Sequence, residues 1–180
     1  MSPVSKVTFA ALMIMIPASG AVAADAIAMP VGEGSVPIYE SAGFDWDGFY
    51  AGVHGTTQVS PLGGTDYGLG VNLGVNATFD FVLVGAEIAI EGLTDGVAST
   101  LYGEVLGRAG VLLTDDVALY AAAGYGLDLT TQTQSDLLLG GGVEFAVTDS
   151  VSLRAQYLHG FPITGGNPKD QVTLGANFHF

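Results

Sequence analysis

Residues 67–79 read YGLGVNLGVNATF, and the fold turns on them. The odd-numbered positions are Tyr67, Leu69, Val71, Leu73, Val75, Ala77 and Phe79, all apolar. The even-numbered ones are Gly68, Gly70, Asn72, Gly74, Asn76 and Thr78, all small or polar. Strand side chains alternate between two faces, so this segment is a strand with one greasy face and one polar face. A half-buried strand of a soluble sheet alternates in the same way, but such strands run only about 5–6 residues. At about 3.3 Å per residue and a tilt of about 45°, residues 67–79 are long enough to cross the hydrocarbon of a bilayer. Tyr67 and Phe79 stand at the two ends of the greasy face, where the aromatic girdles of a membrane barrel lie.

The rest of the chain carries the same pattern. Alternating segments are read at residues 48–58, 67–79, 81–91, 101–113, 117–129, 136–147, 151–160 and 170–180. In each, one parity is apolar, as in Val82, Val84, Ala86, Ile88 and Ile90 of the third segment. The connections alternate between long ones of about 7–9 residues and tight ones of about 3, such as Thr114-Asp115-Asp116. Short turns on one side and longer loops on the other are the habit of outer-membrane barrels. The expected fold is all-β: an eight-stranded antiparallel up-and-down transmembrane barrel over residues 48–180, with both ends on the periplasmic side.

Composition agrees. Apolar residues make up 49% of the 180, charged residues only 12%, and there are 27 glycines and no cysteine. Disulfides and thiol chemistry are therefore excluded. After residue 30 no apolar run reaches the length of a spanning helix, about 20 residues. Four Lys and Arg stand against 18 Asp and Glu, a formal charge of −14. Phosphate binding needs clustered cations, so nucleic acid is not a partner.

Residues 1–24 read as a secretory signal. Lys6 precedes the apolar core VTFAALMIMI, and Ala21-Val22-Ala23 is a small-residue cleavage site. Residues 25–47 hold prolines, glycines and five acids (Asp25, Glu33, Glu40, Asp45, Asp47) without a period, and read as an exposed acidic leading segment.

On these motifs the chain resembles small outer-membrane β-barrel proteins of the OmpA-like and porin-like type, in the branch of alphaproteobacterial surface antigens with a W-x-G-F-Y opening. The carrying residues are Trp46-Asp47-Gly48-Phe49-Tyr50-Ala51-Gly52, Val84-Gly85-Ala86-Glu87, Gly107-Arg108-Ala109-Gly110, Gly142-Val143-Glu144-Phe145, Ser152-Leu153-Arg154-Ala155 and the ending Asn177-Phe178-His179-Phe180. The resemblance implies an outer-membrane location among lipid and lipopolysaccharide. It also implies biogenesis through periplasmic chaperones and the barrel-assembly machinery, with Phe178 and Phe180 as the assembly signal. The external loops are shorter than is common in such families, which weighs against an adhesin.

The polar parity concentrates the charges: Glu87, Glu91, Glu104, Arg108, Glu144 and Arg154. An eight-stranded barrel is just wide enough for side chains to fill. Arginines and glutamates there would form a network of charge-assisted pairs, expected to comprise Glu87, Glu104, Arg108, Glu144 and Arg154. A plugged lumen points to a structural role in envelope integrity. The alternatives are a narrow porin or, by resemblance, a surface protein that captures a small ligand such as haem. A lipid A-modifying hydrolase would need Ser, His and an acid at one rim. No serine lies within two residues of His159, so no enzyme is expected. His54, His159 and His179 fall at different heights, which disfavours a metal centre, and no cofactor is called for. A soluble lipocalin-like barrel would carry the apolar parity inside and expose the Glu/Arg parity as surface. The acids Asp66, Asp95, Asp128, Asp136 and Asp170 are placed at the external end, as a solvated surface or as Ca²⁺ or Mg²⁺ bridges to the anionic leaflet.

Overall fold

The computed structural model describes residues 43–61, 64–130, 134–164 and 166–180. Residues 1–24 and 25–42, the expected secretory signal and most of the expected leading segment, lie outside the described residues. Eight strands follow in order: β1 Gly48–Ser60, β2 Gly64–Phe79, β3 Val82–Thr94, β4 Ser99–Thr114, β5 Val117–Asp128, β6 Ser135–Thr148, β7 Val151–Thr164 and β8 Lys169–His179. Each pairs antiparallel with the next, and β1 pairs with β8 from Tyr50↔His179 to Val59↔Asp170, so the sheet closes. Closure leaves no unpaired strand edge, which lipid would not tolerate.

The strands run further than the alternation alone suggested, and they do so mostly at the external end. Several long connections therefore shrink, to residues 61–63, 95–98 and 165–168, with 129–134 the longest. Polar residues such as Thr65, Asp66 and Thr164 hide these extensions from a hydropathy pattern, yet they pair in the ladder. The periplasmic turns are tight, at residues 80–81, 115–116 and 149–150. Asp80 takes φ 61° to make the first of them, a left-handed conformation that Asp accepts more readily than most residues.

The apolar parity faces outward along every strand. Leu69, Val71, Leu73 and Val75 of β2 are exposed, as are Val84, Ile88 and Ile90 of β3, while Asn72, Asn76, Glu87 and Glu91 are buried. A soluble lipocalin-like barrel would have the opposite arrangement. The outer belt ends in aromatics. Phe49, Phe79, Phe81, Phe145, Phe178 and Phe180 are exposed on the periplasmic side, and Tyr67, Tyr125 and Tyr157 on the external side. Tyr67 and Phe79 stand 62% and 65% exposed at opposite ends of β2.

Candidate functional site

Among the described residues the barrel wall encloses the lumen, and its contents decide what can pass. Its floor, at the periplasmic end, is aromatic. Trp46 is buried with Leu83 and Ala118, and Phe44, Leu112 and Ala146 pack against that cluster. The indole Nε1–H donates to the Asp115 carbonyl at 2.9 Å, satisfying the one polar group burial would strand. Phe44 meets Trp46 edge-on with ring centroids 4.6 Å apart, and His179 lies edge-on to Phe44 at 4.8 Å and stacks on Tyr50 at 5.3 Å. This corrects the expectation that the whole of residues 25–47 is an exposed tail. Phe44 and Trp46 turn inward and close the mouth, because an indole and a phenyl ring gain more by leaving water than the short segment loses by being fixed.

Above the floor sits a charged layer. Arg108 Nη2 is 2.8 Å from Glu144 Oε2, and Arg108 Nη1 donates to the Tyr50 hydroxyl at 2.8 Å. That hydroxyl donates in turn to Glu87 Oε2 at 2.6 Å, and Arg154 Nη1 makes a close ion pair with the same oxygen. Glu144 Oε1 accepts from Ser152 Oγ at 2.6 Å and from Asn177 Nδ2 at 2.7 Å. The guanidinium carbon of Arg108 lies 4.2 Å from the Tyr120 ring centroid, a cation–π contact. Seven strands (β1, β3, β4, β5, β6, β7 and β8) contribute to this layer, so it braces the barrel across its width. Tyr50 and Tyr120 reach the centre because Gly74 and Gly142 lie beneath their rings on the neighbouring strands, leaving no room there for a Cβ.

Next comes a layer the alternation did not flag. Leu106, Tyr120, Ala122, Leu138 and Leu158 form a buried apolar cluster inside the lumen. Leu138 and Leu158 alternate correctly with their neighbours, but both neighbours of each strand position are apolar or aromatic, so the inward parity was masked there.

The external half is different again. Glu104 was expected among the arginines; it instead accepts from Gln171 Nε2 at 2.8 Å, and no arginine ion pair reaches it among the described residues. Glu91 Oε1 accepts from Gln58 at 3.3 Å, and Glu91 Oε2 faces His54 Nε2 at 3.5 Å. The reason is height: Arg108 and Arg154 stand nearer the floor, beyond the reach of Glu104. At the mouth, Lys169 Nζ pairs with Asp136 Oδ2 at 2.9 Å and lies 3.9 Å from the Tyr102 ring centroid, and the Tyr102 hydroxyl donates to the same Asp136 oxygen at 2.8 Å.

Two of the five external acids are thus relocated. Asp136 is fully buried and Asp128 nearly so, both facing the lumen. Their parity on β6 and β5 points inward, and Lys169 supplies the cation Asp136 needs. Asp170 is on the outer face, where Tyr157 donates to it at 2.6 Å and His159 Nδ1 lies 2.7 Å away. No group of three or more His, Cys, Asp or Glu placed to hold a metal ion occurs among the described residues. Asp95 caps its own loop, its Oδ1 accepting from Ala98 N at 2.7 Å and Val97 N at 2.8 Å. Those backbone donors hold its carboxyl below the usual Asp range.

Ser152, His179 and Glu144 do meet, which the sequence spacing did not suggest. Ser152 Oγ is 3.0 Å from His179 Nε2, and Glu144 Oε1 is 3.5 Å from the same nitrogen. A hydrolytic triad places the acid on Nδ1 and the nucleophile on Nε2. Here both crowd Nε2, Nδ1 has no hydrogen-bond partner, and all three residues are buried under Phe44. The cluster is a brace.

Known proteins carry the same architecture. Ail, the attachment invasion locus protein of Yersinia pestis, matches with a TM-score of 0.54 at 14% identity over 73% of this chain and 96% of its own. The N-terminal β-barrel domain of Pseudomonas aeruginosa OprF matches at 0.52 with 13% identity, covering 73% of this chain and 97% of that one. Neisserial surface protein A, NspA, matches at 0.51 with 19% identity over 73% and 97%. At such identities the likeness is one of fold. No curated protein sequence matches the chain. The model of the outer membrane protein beta-barrel domain matches residues 8–180, and with the closed eight-stranded barrel this establishes that the chain belongs to the family of small outer-membrane β-barrel proteins.

Proposed function

We propose that the protein is a non-enzymatic, non-conducting barrel that serves the mechanical integrity of the outer membrane. One observation carries this reading: the lumen is filled at three levels, the Trp46 floor, the Arg108–Glu144 and Arg154–Glu87 network, and the Asp136–Lys169–Tyr102 mouth, and each is buried. A conduit needs a continuous wet path, and buried ion pairs bridging the barrel leave none at their level. Reconstituted into a planar bilayer, the wild-type protein should show no unitary conductance in about 1 M KCl, where the screening length is only about 3 Å. Unitary steps from the wild type, with Arg108 and Arg154 in place, would sink the structural reading in favour of a narrow porin.

The biogenesis part of the reading has its own support. Residues 1–24 carry the pattern of a cleaved export signal, and the first residue of protein recovered from outer membranes reads the cleavage site. Phe178 and Phe180 present exposed rings on the outer face at the end of β8, stacked 6.2 Å apart, where a peripheral assembly factor can reach them. Deleting Phe180 should shift newly made protein from the heat-modifiable membrane form to the periplasm. Equal assembly of both chains on a pulse-chase would remove Phe180 from that role. In lipid, the remaining solvated acids Asp66 and Asp95 serve as a hydrated external rim.

A further inference from the structure

The outer belt is not uniform. Across β8, β1, β2, β3 and β4 one register row reads Leu174↔Gly55↔Leu69↔Gly92↔Leu101, all on the lipid-facing parity. The two glycines open a groove of about 770 Å³, lined by Val53, Leu69, Val71, Ile90, Leu101 and Leu174. A Cβ at Gly92 would meet nothing within 4 Å, and one at Gly55 would meet Leu69 only at 3.8 Å, so neither glycine is required by packing of the barrel itself. One step along the strands towards the external end, the next outward row is Thr57↔Tyr67↔Thr94↔Ser99. On β8 the row continues to Val172, and the other four members each carry a hydroxyl. Two residues along a strand are about 6.6 Å, so these hydroxyls stand just above the groove.

We infer that this face is a lipid site: the groove holds one acyl chain of an outer-leaflet lipid, and the Thr57 and Tyr67 hydroxyls, on adjacent strands, bind the carbonyl that links the chain to its headgroup. The groove is continuous with the lipid-facing belt, so hydrocarbon must fill it; a void there would forfeit the contacts of every side chain lining it. Tyr67 marks the level where hydrocarbon gives way to the polar interface, which is the depth of an acyl linkage. Thr94 is held back from the lipid because its hydroxyl donates to the Ala98 carbonyl at 2.7 Å. Recognition is by neutral hydroxyl donors. Lys6, Arg108, Arg154 and Lys169 are all the Lys and Arg in the chain; the latter three face the lumen, and none is available to a phosphate on this face.

The inference does not depend on the lumen being sealed. It is tested on the full-length protein in phosphatidylcholine vesicles doped with chain-nitroxide phosphatidylcholine or, in a parallel series, chain-nitroxide stearic acid. Electron spin resonance reads the motionally restricted fraction. The wild type should restrict more label than Gly55→Leu/Gly92→Leu, whose added side chains fill the groove without disturbing the barrel, as an unchanged heat-dependent gel shift would verify. Thr57→Val/Tyr67→Phe should lower the restricted fraction of both probes, since an ester carbonyl and a carboxyl group each accept a hydrogen bond. An equal restricted fraction in wild type and the glycine double variant overturns the site. So does a wild type that sediments as a dimer and a double variant that sediments as a monomer, because the groove is then a contact between copies. A restricted fraction that the hydroxyl variant leaves unchanged overturns the role of the two hydroxyls.

Discussion

In the periplasmic half of the lumen Arg108 and Arg154 stand in direct contact with Glu87 and Glu144. In the external half Glu91 and Glu104 are just as buried but meet the amides of Gln58 and Gln171 and the imidazole of His54. The two halves share a barrel wall, a width and nearly a residue composition. They differ in whether a permanent cation stands against the glutamates: among the described residues Glu91 and Glu104 have none, and Lys169 at the external rim pairs with Asp136 instead. A buried ion pair is costly to break, because removing one partner leaves the other charge in a place water cannot reach. A buried carboxylate held by amides is under no such obligation, since its charge was never balanced by a partner that its loss would strand. The lower half is accordingly a lock, and the upper half a looser filling.

Arg108→Ala against Glu104→Gln is the sharpest way to break that contrast. The first removes the cation of Glu144 and the donor to Tyr50 and should cost about 3–5 kcal/mol, the range for breaking a buried pair. The second keeps an acceptor for Gln171 and removes a charge close to Glu91; its effect should be under about 1 kcal/mol and in the stabilising direction. Urea unfolding in detergent micelles, followed by loss of the heat-dependent gel shift, reads both. Equal losses in the two variants would show that the halves are not different locks.

The floor comes next in size. Trp46→Ala leaves a hole beside Leu83 and Ala118 and strands the Asp115 carbonyl. A loss of about 2–3 kcal/mol is expected, somewhat below a fully interior Trp deletion because the mouth can relax. The same variant should stay closed in the planar bilayer, since the charged layer above the floor is untouched. Opening on loss of Trp46 alone would move the seal from the arginines to the indole.

The strands and their inside–outside parity were legible because lipid imposes one rule on every strand, and Leu69–Val71–Leu73–Val75 shows it without help. The identity of the charged layer was mostly legible too: Glu87, Arg108, Glu144 and Arg154 share the inward parity, and no other place in a barrel can hold them. Height was not legible. Which acid meets which base depends on strand register and tilt, and these placed Glu104 with Gln171 instead of an arginine and carried Asp136 inward to Lys169. The floor was missed because Phe44 and Trp46 precede the first strand and follow no period; the only signal was two large aromatics in an otherwise polar stretch. The meeting of Ser152, His179 and Glu144 needed three strands brought side by side, which no linear spacing reports.

Outside the lumen, the loop at residues 95–98 offers the smallest test, and one where carboxylate chemistry can be followed in water. Asp95 accepts hydrogen bonds from the Ala98 and Val97 amides, and these lower its pKa from the usual Asp value. A carboxyl with a depressed folded pKa lends order above the unfolded pKa and loses it as pH falls through the folded one. The loop should therefore keep its shape through mildly acidic pH and loosen only below the ordinary Asp range. Amide hydrogen exchange at Val97 and Ala98 reads this directly, with Asp95→Ala exchanging fast at every pH while the unfolding midpoint of the barrel stays put. If the wild-type amides already exchanged freely at neutral pH, the cap would have no hold on the loop. If the barrel midpoint moved with them, the loop would be coupled to the upper lumen through Thr94 and Tyr102, and the looser half would be less loose than its carboxylates suggest.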